Sequence, residues 1–226
     1  MWDIDRTLLI GGGVAVAAYA TAFTAVTGVP WQRMAVTAGR TDRDISAEIF
    51  AAHGIADCEP HLDGFFTRYA AEVHAARHLF AEQGVLLPGV RAVLAALAER
   101  PHVVQTLVTG NIPAVAAAKV AAFDLAWAFD AEVGGYGTDD SVRATLVRRS
   151  LERAEAKYGH GFEAIVVGDT PHDVTAALAN GAIAVGVATG SSGVEELAAA
   201  GAHHVLADLS GVDASVRLLA GGRPPA

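Results

Sequence analysis

Asp3-Ile4-Asp5-Arg6-Thr7-Leu8 and Ile165-Val166-Val167-Gly168-Asp169-Thr170-Pro171-His172-Asp173 are the stretches that decide how this chain folds. In a strand, residues i and i+2 share a face, so Asp3 and Asp5 point together or fan around a ligand where the strand ends. Asp169 stands where an apolar strand gives way to a helix. Four carboxylates brought together cannot all stay ionised without a cation, and a hard, oxygen-seeking Mg²⁺ is the usual solution. A carboxylate can also attack phosphorus to give an aspartyl-phosphate.

Between the two clusters the pattern changes once. Residues 14–27 suit an Ala-rich helix after Gly11-Gly12-Gly13, which reads as a hinge because no Lys-Ser/Thr follows it. A short helix is expected over 31–37, another from a cap at Thr41 or Asp42 to about 53, and a long one over 60–83. After Leu87-Pro88-Gly89 the chain alternates. The expected order is helix 90–99, strand 103–108, helix 112–122, a weak strand at 127–129 and helix 140–157. Strand 163–167, helix 171–180, strand 183–187, helix 193–200 and strand 204–206 follow. Hydrophobic strands alternating with helices imply a parallel sheet covered on both faces. The fold class is therefore α/β: a Rossmann-like three-layer core (1–11 and 86–226) interrupted after its first strand by an all-helical cap (12–85). Only Met1 and Trp2 precede Asp3, a short start for a central strand and one that costs core stability. The tail Gly221–Ala226 is expected to fray.

Composition narrows the class of function. The chain has 226 residues, 52% apolar and 18% charged, which suits a compact globular protein. A net charge of −9 leaves no nucleic-acid footprint. The stretch Thr7–Gln32 has no charge, but it is richer in Ala than in Leu or Ile and contains Gly11–Gly13, Thr21, Thr24 and Thr27, so it reads as a buried helix and not a membrane span. Cys58 is the single cysteine; it excludes an intramolecular disulfide and fits a reducing, cytoplasmic setting.

Three expected strands end in polar signatures: Asp3/Asp5, Thr109-Gly110-Asn111 and Gly168-Asp169. Ligands bind at the carboxyl ends of such strands. With these motifs in place, the chain resembles the haloacid dehalogenase-like hydrolases, in particular their phosphoglycolate-phosphatase-like and β-phosphoglucomutase-like branch. The resemblance implies a Mg²⁺-dependent phosphatase acting on a small phosphorylated substrate. In the D-x-D-x-T motif (Asp3, Asp5, Thr7), it makes Asp3 the nucleophile and Asp5 the general acid/base. Thr109 is then the strand-end hydroxyl, with Gly110 and Asn111 lining the phosphate site. The metal set is Asp3, Asp5 through its backbone carbonyl, Asp169 and, directly or through water, Asp173. The family's cation is placed at Arg143, with Lys119 the alternative, otherwise a solvated surface lysine. Arg40, in the cap loop Gly39-Arg40-Thr41-Asp42, is a candidate contact for a substrate carboxylate or second phosphate. The family usually has Gly where this chain has Arg6. A phosphosugar mutase and a non-catalytic phosphate-binding protein are the alternative functions. Oligomeric state stays open, with a homodimer among the options.

Overall fold

A computed structural model describes residues 1–221; the part of the expected frayed tail at 222–226 lies outside the described residues. The elements in chain order are β1 (Leu9–Ile10), α1 (Val14–Thr27), α2 (Asp42–Ala52), α3 (Glu59–Ala76), α4 (Leu79–Gln83), β2 (Val85–Leu86), α5 (Val90–Ala98), α6 (Pro113–Ala122), α7 (Arg143–Tyr158), β3 (Ile165–Gly168), α8 (Pro171–Leu178), β4 (Ile183–Val187), α9 (Val194–Ala199), β5 (His204–Leu206) and α10 (Val212–Leu219). The fold is α/β with a helical cap.

The sheet centres on the first three residues. β3, β4 and β5 run parallel in that order. Trp2 extends the sheet by bridging Val167 on one side and Leu107 on the other, and Val108 bridges Gly135 beyond. The Asp3 amide donates to the Val167 carbonyl and the Val108 amide to the Trp2 carbonyl, at 2.9 and 2.8 Å. Alternation along these strands sorts the helices by face. Val167 and Val185 pack with α5, α6 and α10. Val166 and Ala184 pack with α7, α8 and α9.

Several expectations are corrected here. In 103–108 only Leu107 and Val108 make ladder contacts, Leu107 with Trp2 and Val108 with Gly135. Trp127 lies in a 3₁₀ turn, Ala126–Ala128, not a strand. No helix forms over 31–37. Gly28 ends α1 in the left-handed region, Pro30 follows, and the Gln32 amide donates to the His53 ring. The expected 60–83 helix breaks at Arg77-His78 into α3 and α4. Sequence reading missed α10 and the β1–β2 pair.

That pair joins the two chain crossings into the cap, with Leu9 opposite Leu86 and Ile10 opposite Val85. Between them the cap has its own core: Tyr19, Phe23, Phe50, Phe65 and Tyr69 pack mainly edge to face at centroid distances of 4.6 to 5.9 Å. Ile112 and Val115 of the α6 region join this cluster. Among the described residues no helix is long and apolar enough to cross a membrane.

Candidate active site

The carboxyl ends of the central segment, of Leu107-Val108 and of β3 converge beneath the cap. Asp3, Asp5, Thr109, Gly110, Asn111, Arg143 and Asp169 share one cavity wall with Arg40 and Asp42 from the cap loop. The cavity measures about 670 Å³.

Two ion clusters divide it. In the first, Asp3, Asp169 and Asp173 each offer an oxygen, all within 4.8 Å of one another. Arg143, the first residue of α7, donates Nη2 to Asp3 Oδ1 at 2.7 Å and Nε to Asp173 Oδ1 at 2.8 Å. The Thr7 hydroxyl lies 3.4 Å from Asp3 Oδ2 and from Asp169 Oδ1. Asp173 is fixed by a capping box at the start of α8: the Thr170 hydroxyl and amide both donate to its Oδ2. Burial, reinforced by Asp173 and Asp5 and opposed by Arg143, pushes the Asp3 carboxyl up to about 7. Burial, reinforced by Asp3 and Asp173, pushes Asp169 up to about 8.

In the second cluster, Asp5 turns to different partners. Lys119 Nζ donates to both of its oxygens at 2.7 and 2.6 Å and to Asn111 Oδ1 at 2.8 Å. Asn111 Nδ2 donates to Asp5 Oδ2 and to the Thr109 hydroxyl. Burial alone would raise Asp5, but the ammonium and the Asn111 amide prevail and hold it below the usual carboxylate range. Lys119 is 4% exposed, so the surface-lysine alternative is corrected. Its signal was available: Ile112, Val115, Ala116 and Lys119 fall on one helix face, and the first three are buried in the core.

The cap loop closes the cavity from above. Thr41 caps α2, and the Asp42 amide donates to the Gly110 carbonyl at 2.7 Å. Asp42 Oδ2 accepts from the Ile112 amide at 2.8 Å, so a cap residue caps a core helix. Burial pushes Asp42 up to about 6, against the pull of that amide and of Lys119. Gly110 permits this approach, since a Cβ there would lie 1.8 Å from the Arg40 carbonyl oxygen. The Asp42 contact was not foreseen. The Arg40 guanidinium lies against α2, paired with Asp44 Oδ2 and Glu48 Oε2 at 2.5 Å each. Arg6 holds a left-handed backbone, φ 62°, a conformation that favours the glycine usual at this position.

A family model described as haloacid dehalogenase-like hydrolase matches residues 1–178. The chain belongs to that family. No match is found among curated protein sequences. Among solved structures, a predicted phosphatase from Clostridium acetobutylicum is similar at 20% identity and TM-score 0.68, covering 97% of this chain and 96% of that one. A provisionally assigned β-phosphoglucomutase from Bacteroides vulgatus is similar at 17% identity and TM-score 0.64, covering 98% and 88%. A predicted phosphoglycolate phosphatase from Haemophilus somnus follows at 17% and 0.63, covering 94% and 95%. At these identities the likeness is one of fold.

Members of this family generally use a divalent metal, and the first cluster fits one. It gathers three buried carboxylates against one arginine, and Asp169 Oδ2 is buried with no hydrogen-bond partner. An oxygen left without donors in a carboxylate-rich pocket suits a hard cation.

Proposed function

We propose that the protein is a Mg²⁺-dependent phosphomonoester hydrolase that works through an aspartyl-phosphate on Asp3. The observation that carries this reading is the different environment of the two carboxylates in Asp3-Ile4-Asp5. Asp3 lies with Asp169, Asp173 and Arg143, where a dianionic phosphoryl group would be neutralised. Asp5 lies with Lys119 and Asn111, where a proton carrier serves the leaving oxygen.

An Asp3 carboxylate oxygen attacks phosphorus in line, and the P–O bond to the alcohol breaks as Asp5 supplies its proton. Asp5 then takes a proton from water, whose oxygen attacks phosphorus. Inorganic phosphate leaves and Asp3 is restored. Arg143 holds Asp3 in place, while the Thr109 hydroxyl and the Gly110 amide, with Asn111 beside them, suit the equatorial oxygens. Mg²⁺, held by Asp3, Asp169 and the Asp5 carbonyl with Asp173 in support, would supply charge neutralisation at the phosphoryl group. The cap would exclude bulk water. A single cysteine, Cys58, is consistent with a reducing, cytoplasmic setting for this chemistry.

Hydrolysis of p-nitrophenyl phosphate that needs Mg²⁺ and is stopped by EDTA is the expected result. No turnover with any phosphomonoester, or turnover indifferent to EDTA, would overturn the reading. A phosphosugar mutase would share the nucleophile but return an isomerised sugar phosphate in place of inorganic phosphate, which product analysis distinguishes.

A further inference from the structure

Beyond the phosphoryl end, an aliphatic stripe runs along the cavity wall beside the polar Arg6, Thr37 and Ser191. Ile10, Val14, Val16, Met34 and Val36 line it on the cap side. Ile10, Val16 and Val36 are 39%, 42% and 74% exposed, which makes three large aliphatic side chains left to water around one cavity. Scattered exposed aliphatics need no explanation, but a group facing one cleft marks a binding surface. The Val36 segment is the irregular stretch after α1, positioned over the site by the Gly39–Asp42 loop. The cavity volume, about 670 Å³, also suits a ligand larger than a two-carbon phosphate ester.

The cations of the cavity bear on the same question. Arg143 is committed to Asp3 and Asp173, and Lys119 to Asp5. Arg40 is committed to Asp44, Glu48 and the Val36 carbonyl. One guanidinium against two carboxylates leaves that part of the cap wall net negative, which repels a second substrate anion. Arg6 alone among these cations makes no ion pair among the described residues. It stands on the core side, where the Thr189 hydroxyl donates to its carbonyl.

We infer that the alcohol part of the substrate is an extended, uncharged, mainly apolar group that lies along Ile10, Val16 and Val36. The natural substrate class is then a long-chain alkyl or aryl phosphomonoester, not a phosphorylated small carboxylate. This rests on the phosphomonoester reading and specifies its substrate.

The test is calorimetric binding of non-hydrolysable phosphonates to the Mg²⁺-saturated protein, which needs no turnover. The probes are methyl-, butyl- and hexylphosphonate, with phosphonoacetate as the carboxylate-bearing comparator. Full burial of a methylene is worth about a fourfold gain in affinity, and half-exposed walls recover about twofold. Hexylphosphonate should therefore bind at least about tenfold tighter than methylphosphonate, and phosphonoacetate weaker than butylphosphonate. The double variant Val16→Thr/Val36→Thr, at exposed positions where folding is not at stake, should flatten the chain-length series. A flat series in the wild type, or a series unaltered in the variant, would overturn the inference. So would tighter binding of phosphonoacetate, and its loss in Arg6→Ala would then place the second-anion site at Arg6. Binding of none of the probes, together with no turnover of p-nitrophenyl phosphate, would instead remove the phosphomonoester reading on which the inference rests.

Discussion

Replacing Lys119 with Met keeps the length of the side chain and removes its charge from beneath Asp5. Three charge-assisted or polar bonds are lost: two to Asp5 and one to Asn111 Oδ1. Removing one partner of a fully buried pair costs about 3–5 kcal/mol. Here the lysine side chain is 5% exposed but the Asp5 side chain is 46% exposed, so water can solvate the carboxylate left behind. That discount brings the expected loss to about 1–2 kcal/mol, or roughly 3–6 °C in Tm for a chain of this size. The functional effect follows from sign. Lys119 holds Asp5 below the usual carboxylate range by its charge and hydrogen bonds, so its removal lets the Asp5 carboxyl rise. If Asp5 must be ionised to activate water, the acidic limb of the kcat profile moves to higher pH, with kcat at neutral pH reduced less than at pH 5. Calorimetry at pH 7.5 and a pH–rate profile on p-nitrophenyl phosphate read the two effects. An unchanged acidic limb alongside the expected fall in Tm would make Lys119 a structural ion and refute its action on Asp5.

Asp3→Asn should abolish turnover with no loss of Tm, because it removes a carboxylate that burial already disfavours; more than about a tenth of wild-type kcat would contradict the nucleophile assignment. Without metal, Asp3 and Asp169 carry raised values of about 7 and about 8 against 3.8 unfolded, so the folded state holds more protons than the unfolded one between these limits. Metal-free stability should therefore fall as pH rises from about 4 to about 8, and the gain in Tm on adding Mg²⁺ should grow over the same window. A Mg²⁺ effect independent of pH would argue against a cation among these carboxylates. Gly110→Ala should drive the Arg40 carbonyl and the cap loop off the core, since the new Cβ has only 1.8 Å to occupy. Faster proteolysis at Arg33 and Arg40 with reduced kcat/KM is the expected readout, and unchanged proteolysis would mean that the loop absorbs the methyl group elsewhere.

What could be read in the sequence was what local pattern encodes. The α1, β4 and β5 boundaries, the Thr41 cap and the change from helical insert to alternating core all follow from periodicity and capping residues near in sequence. The illegible parts depend on remote partners. Val103–Val108 has the composition of a strand, yet ladder contacts reach only Leu107 and Val108, because their partners, Trp2 and Gly135, are remote in sequence. β1 and β2 are two residues each, too short for any pattern to register, and exist because the two cap crossings run side by side.

The site divides the same way. Asp3, Asp5, Thr109, Asn111, Asp169 and Asp173 stand at strand ends or in short motifs, so their gathering could be anticipated. The cations could not be ranked by motif, because ranking assumed one role to fill. The folded chain has two: α7 brings Arg143 to Asp3 and Asp173, while α6 brings Lys119 to Asp5, two residues along the same segment. A single cation cannot hold both carboxylates, because one is drawn into the buried triad and the other toward Asn111. The same reasoning bears on Arg40. A charged loop residue over an anion site reads as a ligand, but Asp44 and Glu48 lie four and eight residues on, one and two turns along α2. Those intervals were visible in the sequence, and they direct the guanidinium to its own helix.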